Sequence, residues 1–98
     1  MLSQQMQATS HPALEDVLCS KTRMKILKIL VGSQLTPSEI AKSVGVNYAA
    51  TAKHLEILEA EGIVDHVNFG SRIRYYRFNE SSRANAVRNL IATFQHRV

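Results

Sequence analysis

The stretch TPSEIAKSVGVNYAATAKHLEIL, Thr36 to Leu58, carries the reading of the whole chain. Thr36-Pro37-Ser38-Glu39 is a capping box with proline at the first helical position, so a helix is predicted from Pro37 through Ser43. Gly45 breaks it, because glycine alone tolerates the positive φ of a tight turn. Ala41, four residues earlier, is small enough to let two helices approach. Asn47 can cap a second helix that runs to about Glu61 and ends at Gly62. At 3.6 residues per turn this helix turns Thr51, Leu55, Leu58 and Gly62 inward, with His54 and Ile57 at the flank. Ala49, Ala52, Lys53, Glu56 and Ala60 point outward, and Tyr48 lies at the leading edge.

Upstream, Met1 to His11 is polar, glutamine-rich and aperiodic, the pattern of a flexible arm over residues 1–11. From Pro12 the chain reads as one domain, 12–98. A first helix carries Leu14, Val17 and Leu18 and ends around Cys19, which sits on the stripe as a small buried hydrophobe. Ser20 caps a second helix whose buried face is Met24, Leu27, Leu30 and Val31, widened by Ile26 and Ile29.

Downstream of Gly62, IVDHVNFGSRIRYYRF is β-branched and aromatic around Gly70-Ser71 and reads as a hairpin. A two-residue loop would mix arginines and apolar side chains on one face. A three-residue loop over Gly70 to Arg72 segregates them, pairing Phe69 with Ile73 and Val67 with Tyr75, and placing Val64, Tyr76 and Phe78 on the other face. Tyr75 and Tyr76 are expected in the core, Arg77 as a solvated edge charge. A last helix from about Ser81 carries Val87, Leu90, Ile91, Phe94 and Val98 on one stripe that needs something to pack on. The fold class is therefore mostly α with a small β-hairpin, in the order α-α-α-α-β-β-α: a winged helix-turn-helix.

The 98 residues form one small domain with a modest core, and twelve lysines and arginines against eight acids leave a net charge of +4, which favours a polyanionic partner. The sequence has no apolar run long enough for a membrane span, and its first residues lack the blocks of a signal peptide, so a cytoplasmic location is expected. One cysteine makes neither an internal disulfide nor a metal site, and His11, His66 and His96 show no ligand spacing. No nucleophile and base pair is visible, so neither an enzyme nor a cofactor is expected.

Several segments resemble the ArsR-like winged-helix transcriptional regulators over roughly Leu18 to Phe78. They are LCSKTRMKILKIL with Arg23, SEIAKSVGV, AKHLEILEAEGIV with its His54-Leu55 pair, and GSRIRYYRF. The resemblance implies a homodimer joined by its terminal helices, the fourth helix in the major groove of double-stranded DNA, and a repressor acting on a pseudo-palindromic operator. The chain departs from the metal-sensing members: its third helix has no cysteine and its last helix offers only His96.

The candidate DNA contacts are Thr36, Ser38, Asn47, Tyr48, Ala49, Ala52 and Lys53 on the helix-turn-helix, and Arg72 and Arg74 on the hairpin. The alanines let the helix sit deep and meet thymine methyls, while a tip arginine can hold phosphate or enter a minor groove. Glu56, Glu59 and Glu61 would repel phosphate, so only the N-terminal half of the fourth helix should enter. The candidate dimer contacts are Leu14, Val17, Val87, Leu90, Ile91, Phe94 and Val98. Arg23 and His54 are expected to be structural hydrogen-bonding residues. The alternative is a protein-interaction winged helix of the transcription machinery that does not read DNA. It is distinguished by whether Lys53, Arg72 and Arg74 form one positive surface. The residues specify no small-molecule effector.

Overall fold

The structure, a computed structural model, describes residues 14–70 and 72–95. The expected arm over 1–11, together with Pro12, Ser71, His96 and Val98, lies outside the described residues. Among the described residues, five helices and one hairpin follow in the expected order: α1 Leu14–Leu18, α2 Lys21–Leu30, α3 Pro37–Val44, α4 Tyr48–Ala60, β1 Val64–Phe69, β2 Ile73–Phe78 and α5 Ser82–Gln95.

Local chemistry sets the boundaries. The Ser20 hydroxyl accepts from the Arg23 amide at 3.1 Å, one of the four N-terminal amides a helix leaves unpaired. Thr36 and Glu39 form the reciprocal capping box at 3.2 and 2.9 Å. Asn47 Oδ1 accepts from the Ala50 amide at 2.8 Å. Between α3 and α4, Gly45 adopts φ +78° and its amide closes on the Ala41 carbonyl at 2.9 Å. The turn is thus made by the one residue type that enters this region without strain.

The core lies between α2, α3, α4, the base of the hairpin and the inner side of α5. Ile26, Leu27, Leu30, Ile40, Leu55, Leu58 and Val64 are fully buried, with Tyr76, Phe78, Ala84, Val87 and Ile91 closing the edges. Thr51 is buried too, and its hydroxyl donates to the Asn47 carbonyl at 2.9 Å, so no polar atom is stranded there. Met24 and Val31, expected at the centre of the α2 face, are only partly buried, whereas Ile26 is at the centre. The helices on either side of α2 meet it at the Ile26-Leu27-Leu30 ridge and leave Met24 at the rim.

The hairpin has the three-residue connection. Phe69 pairs with Ile73, Val67 with Tyr75 and Val64 with Phe78. Tyr76 is in the core, but Tyr75 is not: it sits half-buried on the outer face, its ring 5.0 Å from that of Phe69. The period-two alternation forces this split, since consecutive strand residues face opposite sides. Cys19 also departs from expectation and is exposed. It falls one residue beyond the end of α1, where the helical stripe no longer directs it inward.

A pairing the sequence reading missed fixes the wing. Leu35 and Tyr76 exchange backbone hydrogen bonds of 3.0 and 2.8 Å, an isolated antiparallel bridge between the segment entering α3 and the middle of β2. It sets the start of α3 beside the wing.

Candidate nucleic-acid interface

The Leu35–Tyr76 bridge opens a cleft of about 550 Å³ between the N-terminus of α3, the first two turns of α4 and β2. Thr36, Ser38, Tyr48, Ala52, Arg72 and Arg74, six of the sequence-derived contacts from three separate elements, line it together. Pro37, Leu55, Ile73 and Tyr76 complete the wall and were missed. A lone leucine in the polar loop Ser33-Gln34-Leu35-Thr36 was the available signal that this segment docks on something.

Each wall has its own local cause. Thr36 and Asn47 use their side-chain oxygens as acceptors for helix amides, which leaves the Thr36 hydroxyl proton and the Asn47 amide protons as donors toward a ligand. On α4, Thr51, Leu55 and Leu58 are buried while Ala49, Ala52, Lys53, Glu56 and Ala60 are exposed, the two faces that the helical period predicts. Tyr48 is exposed on the first turn. Asn47, Ala49 and Lys53 are not part of the cleft wall. Lys53 instead stands exposed on α4, outside the cleft.

Arg74 lies on the wing face that carries Tyr76, and its Nη1 donates to the Tyr76 hydroxyl at 3.4 Å. This contact raises the guanidinium's pKa above its ordinary value, so the side chain is a permanent cation facing the cleft. Arg77, by contrast, donates from Nε to Asp65 Oδ1 at 3.0 Å across the outer face and is paired. The acidic end of α4 is partly compensated: Glu61 forms an ion pair with Arg83 Nη1 at 3.0 Å, and Glu59 is hydrogen-bonded to His66 Nδ1 at 2.7 Å. Repulsion of phosphate from that end is therefore weaker than three free carboxylates would give.

Arg23 and His54 brace α4 from behind. Arg23 donates to the Val17 carbonyl at 2.7 Å, to the Asp16 carbonyl at 2.8 Å and to His54 Nδ1 at 3.1 Å. One guanidinium thus caps the C-terminal end of α1 and ties it to α4.

The terminal helices present a second, apolar surface. Val87 and Ile91 face the chain's own core, as does Val17 on α1, while Leu14, Leu90 and Phe94 are exposed by 69%, 52% and 79%. Leu90, Ile91 and Phe94 border a groove of about 410 Å³ against Met24 and Lys28 of α2. The stripe is wider than the chain's own core can cover. Among the described residues, no helix is long and apolar enough to cross a membrane.

Helices carrying a capped helix-turn-helix, followed by a hairpin docked beside it, define a winged helix-turn-helix domain of the DNA-binding type. Residues 20–66 match the family model of the bacterial regulatory protein, arsR family, and over that stretch the chain resembles those winged-helix regulators. Among solved structures it resembles reduced HlyU from Vibrio cholerae, with a TM-score of 0.74 at 22% identity over 97% of this chain and 100% of that one. The homodimeric winged helix-turn-helix DNA-binding domain of Mb0332 from Mycobacterium bovis aligns with a TM-score of 0.67 at 27% identity, over 82% of this chain and 69% of that one. The adhesin competence repressor AdcR from Streptococcus pyogenes gives 0.70 at 19% identity, over 94% and 64%. No curated protein sequence matches the chain significantly.

Proposed function

We infer that the chain is a homodimeric, sequence-specific regulator of transcription that binds double-stranded DNA, and that it represses by covering a promoter. The observation that carries this reading is the cleft: Thr36, Ser38, Tyr48, Ala52, Arg72 and Arg74 converge from α3, α4 and the wing on one concave, cationic surface. A protein-docking module has no need to line up helix N-termini, a small-residue helix face and two arginines in this way. The helix N-termini and the arginines suit phosphates, and the alanine face suits base edges in a major groove.

In this reading α4 reads and the wing holds. Leu14, Leu90 and Phe94 supply the exposed apolar contacts between subunits, and the operator is a pseudo-palindrome with half-sites about one helical turn apart or a multiple of it. The chain acts in the cytoplasm, where its DNA is. Selection of bound duplexes from a random pool gives the operator, and a salt series then separates the two roles. Arg74→Ala should weaken binding to all duplexes alike and flatten the plot of log affinity against log salt by roughly one unit per lost contact, so roughly two per dimer. Ala52→Gln fills space left for a thymine methyl and should change which sequence wins, at roughly 1–3 kcal/mol per base pair. The opposite pattern, with Arg74→Ala altering the preferred sequence and Ala52→Gln lowering affinity evenly, reverses the assignment.

A further inference from the structure

The wing ends in an apolar pair that neither the core nor the reading above uses. Phe69 and Ile73 face each other as the last cross-strand pair before the loop, and they are 51% and 47% exposed. About half of each side chain is therefore left in water at the wing's far end. The Phe69 ring packs against Tyr75 at 5.0 Å, and Gly70 turns the chain at φ +68° directly beyond it. Ile73 also lies on the wall of the DNA cleft, between Arg72 and Arg74.

We propose that Phe69 and Ile73 form an apolar wedge that enters the minor groove and partly unstacks one base step, bending the duplex. The proposal rests on the DNA-binding reading and adds a specificity determinant to it. Charge selects the occupant. Arg72 and Arg74 are the chain neighbours of Ile73, Arg74 on the opposite strand face, so a second copy of the chain brought tip to tip would set like charges against each other, whereas the phosphates of a duplex complement them. Size argues the same way, since two side chains fall far short of the roughly 800 Å² per partner of a stable protein interface. They do match the one or two apolar side chains with which minor-groove proteins pry apart a step. Pyrimidine–purine steps unstack most easily, so the wedge favours TA or CA/TG under each wing tip without a hydrogen bond to any base.

The test uses the full chain on its selected operator, with 2-aminopurine placed at the step under the wing and a fluorophore pair at the duplex ends. Wild type should shorten the end-to-end distance, raise 2-aminopurine fluorescence several-fold, and lose about tenfold in affinity when that step is changed to GC. The double variant Phe69→Thr/Ile73→Thr keeps strand-forming residues. It should still bind in a salt-dependent manner, but with the fluorescence rise, the bend and the preference for the step gone. A wild-type complex that is straight and fully stacked overturns the wedge by itself, whether or not the variant folds, and leaves the DNA-binding reading intact. A variant that bends and unstacks DNA as wild type does also overturns it. Failure of wild type to bind any duplex overturns both readings.

Discussion

Removing the Arg23 guanidinium tests the account of how α4 is held. Arg23→Met keeps most of the stem and deletes the donors to Asp16 O, Val17 O and His54 Nδ1. The bond to the Asp16 carbonyl is exposed, and water can replace it. The other two are half-buried, and at roughly 1.5–3 kcal/mol for a hydrogen bond to a charged group, reduced for partial solvation, their loss should cost about 2–4 kcal/mol. Urea unfolding at pH 7.5 and fixed protein concentration should show a lower midpoint with an unchanged slope. The same geometry predicts a pH dependence. Arginine only donates, so His54 Nδ1 must accept, and the ring is the neutral tautomer with its proton on Nε2. Burial first, and then the charge of Arg23, hold the His54 pKa below its ordinary 6.5. The unfolded chain takes up a proton near pH 6.5 while the folded one does so only at lower pH. The stabilisation is therefore fully present above about pH 6.5 and is lost as pH falls through the folded pKa. His54→Gln offers an acceptor that does not titrate, and its stability should decline less than wild type between pH 7 and 5. An Arg23→Met loss below about 0.5 kcal/mol, or equal pH slopes in wild type and His54→Gln, would refute the reasoning.

Gly45→Ala meets no atom within 4 Å but must hold φ +78°, so thermal or urea unfolding should report a loss of about 1–2 kcal/mol from strain alone. Leu90→Glu with Phe94→Glu places two charges on the exposed side of α5 and should give monomers in analytical ultracentrifugation; a double variant that stays dimeric puts the interface elsewhere. Zinc and EDTA should leave DNA affinity unchanged, because no three histidine, cysteine or acidic side chains cluster among the described residues. A reproducible zinc-dependent loss of binding contradicts that expectation.

What was legible in the sequence was what local chemistry decides. The capping box at Thr36, the left-handed turn at Gly45, the Asn47 cap and the hairpin register each follow from a few neighbouring residues, and each is present. What was not legible depended on which of several apolar residues a distant element covers. The α5 stripe reads as one surface, yet Val87 and Ile91 turn into the core while Leu90 and Phe94 remain outside, because α5 presents only one side to β2 and the core. Tyr75 and Tyr76 are alike in composition and opposite in placement, and strand alternation together with the Leu35 bridge decides between them.

That bridge is also why the cleft is one object. Thr36 and Tyr76 are far apart in sequence, and no periodicity links them, but backbone hydrogen bonds at Leu35 carry the first turn of α3 to the wing. Tyr76 then serves three ends at once. Its backbone holds α3, its ring packs in the core, and its hydroxyl meets the Arg74 guanidinium on the cleft wall. A wing tied to the helix-turn-helix at its middle, with a half-exposed apolar pair beyond, has a fixed angle and an apolar end. Fixed geometry suits holding phosphates in register with α4, and a half-exposed apolar pair at the far end suits insertion between base pairs.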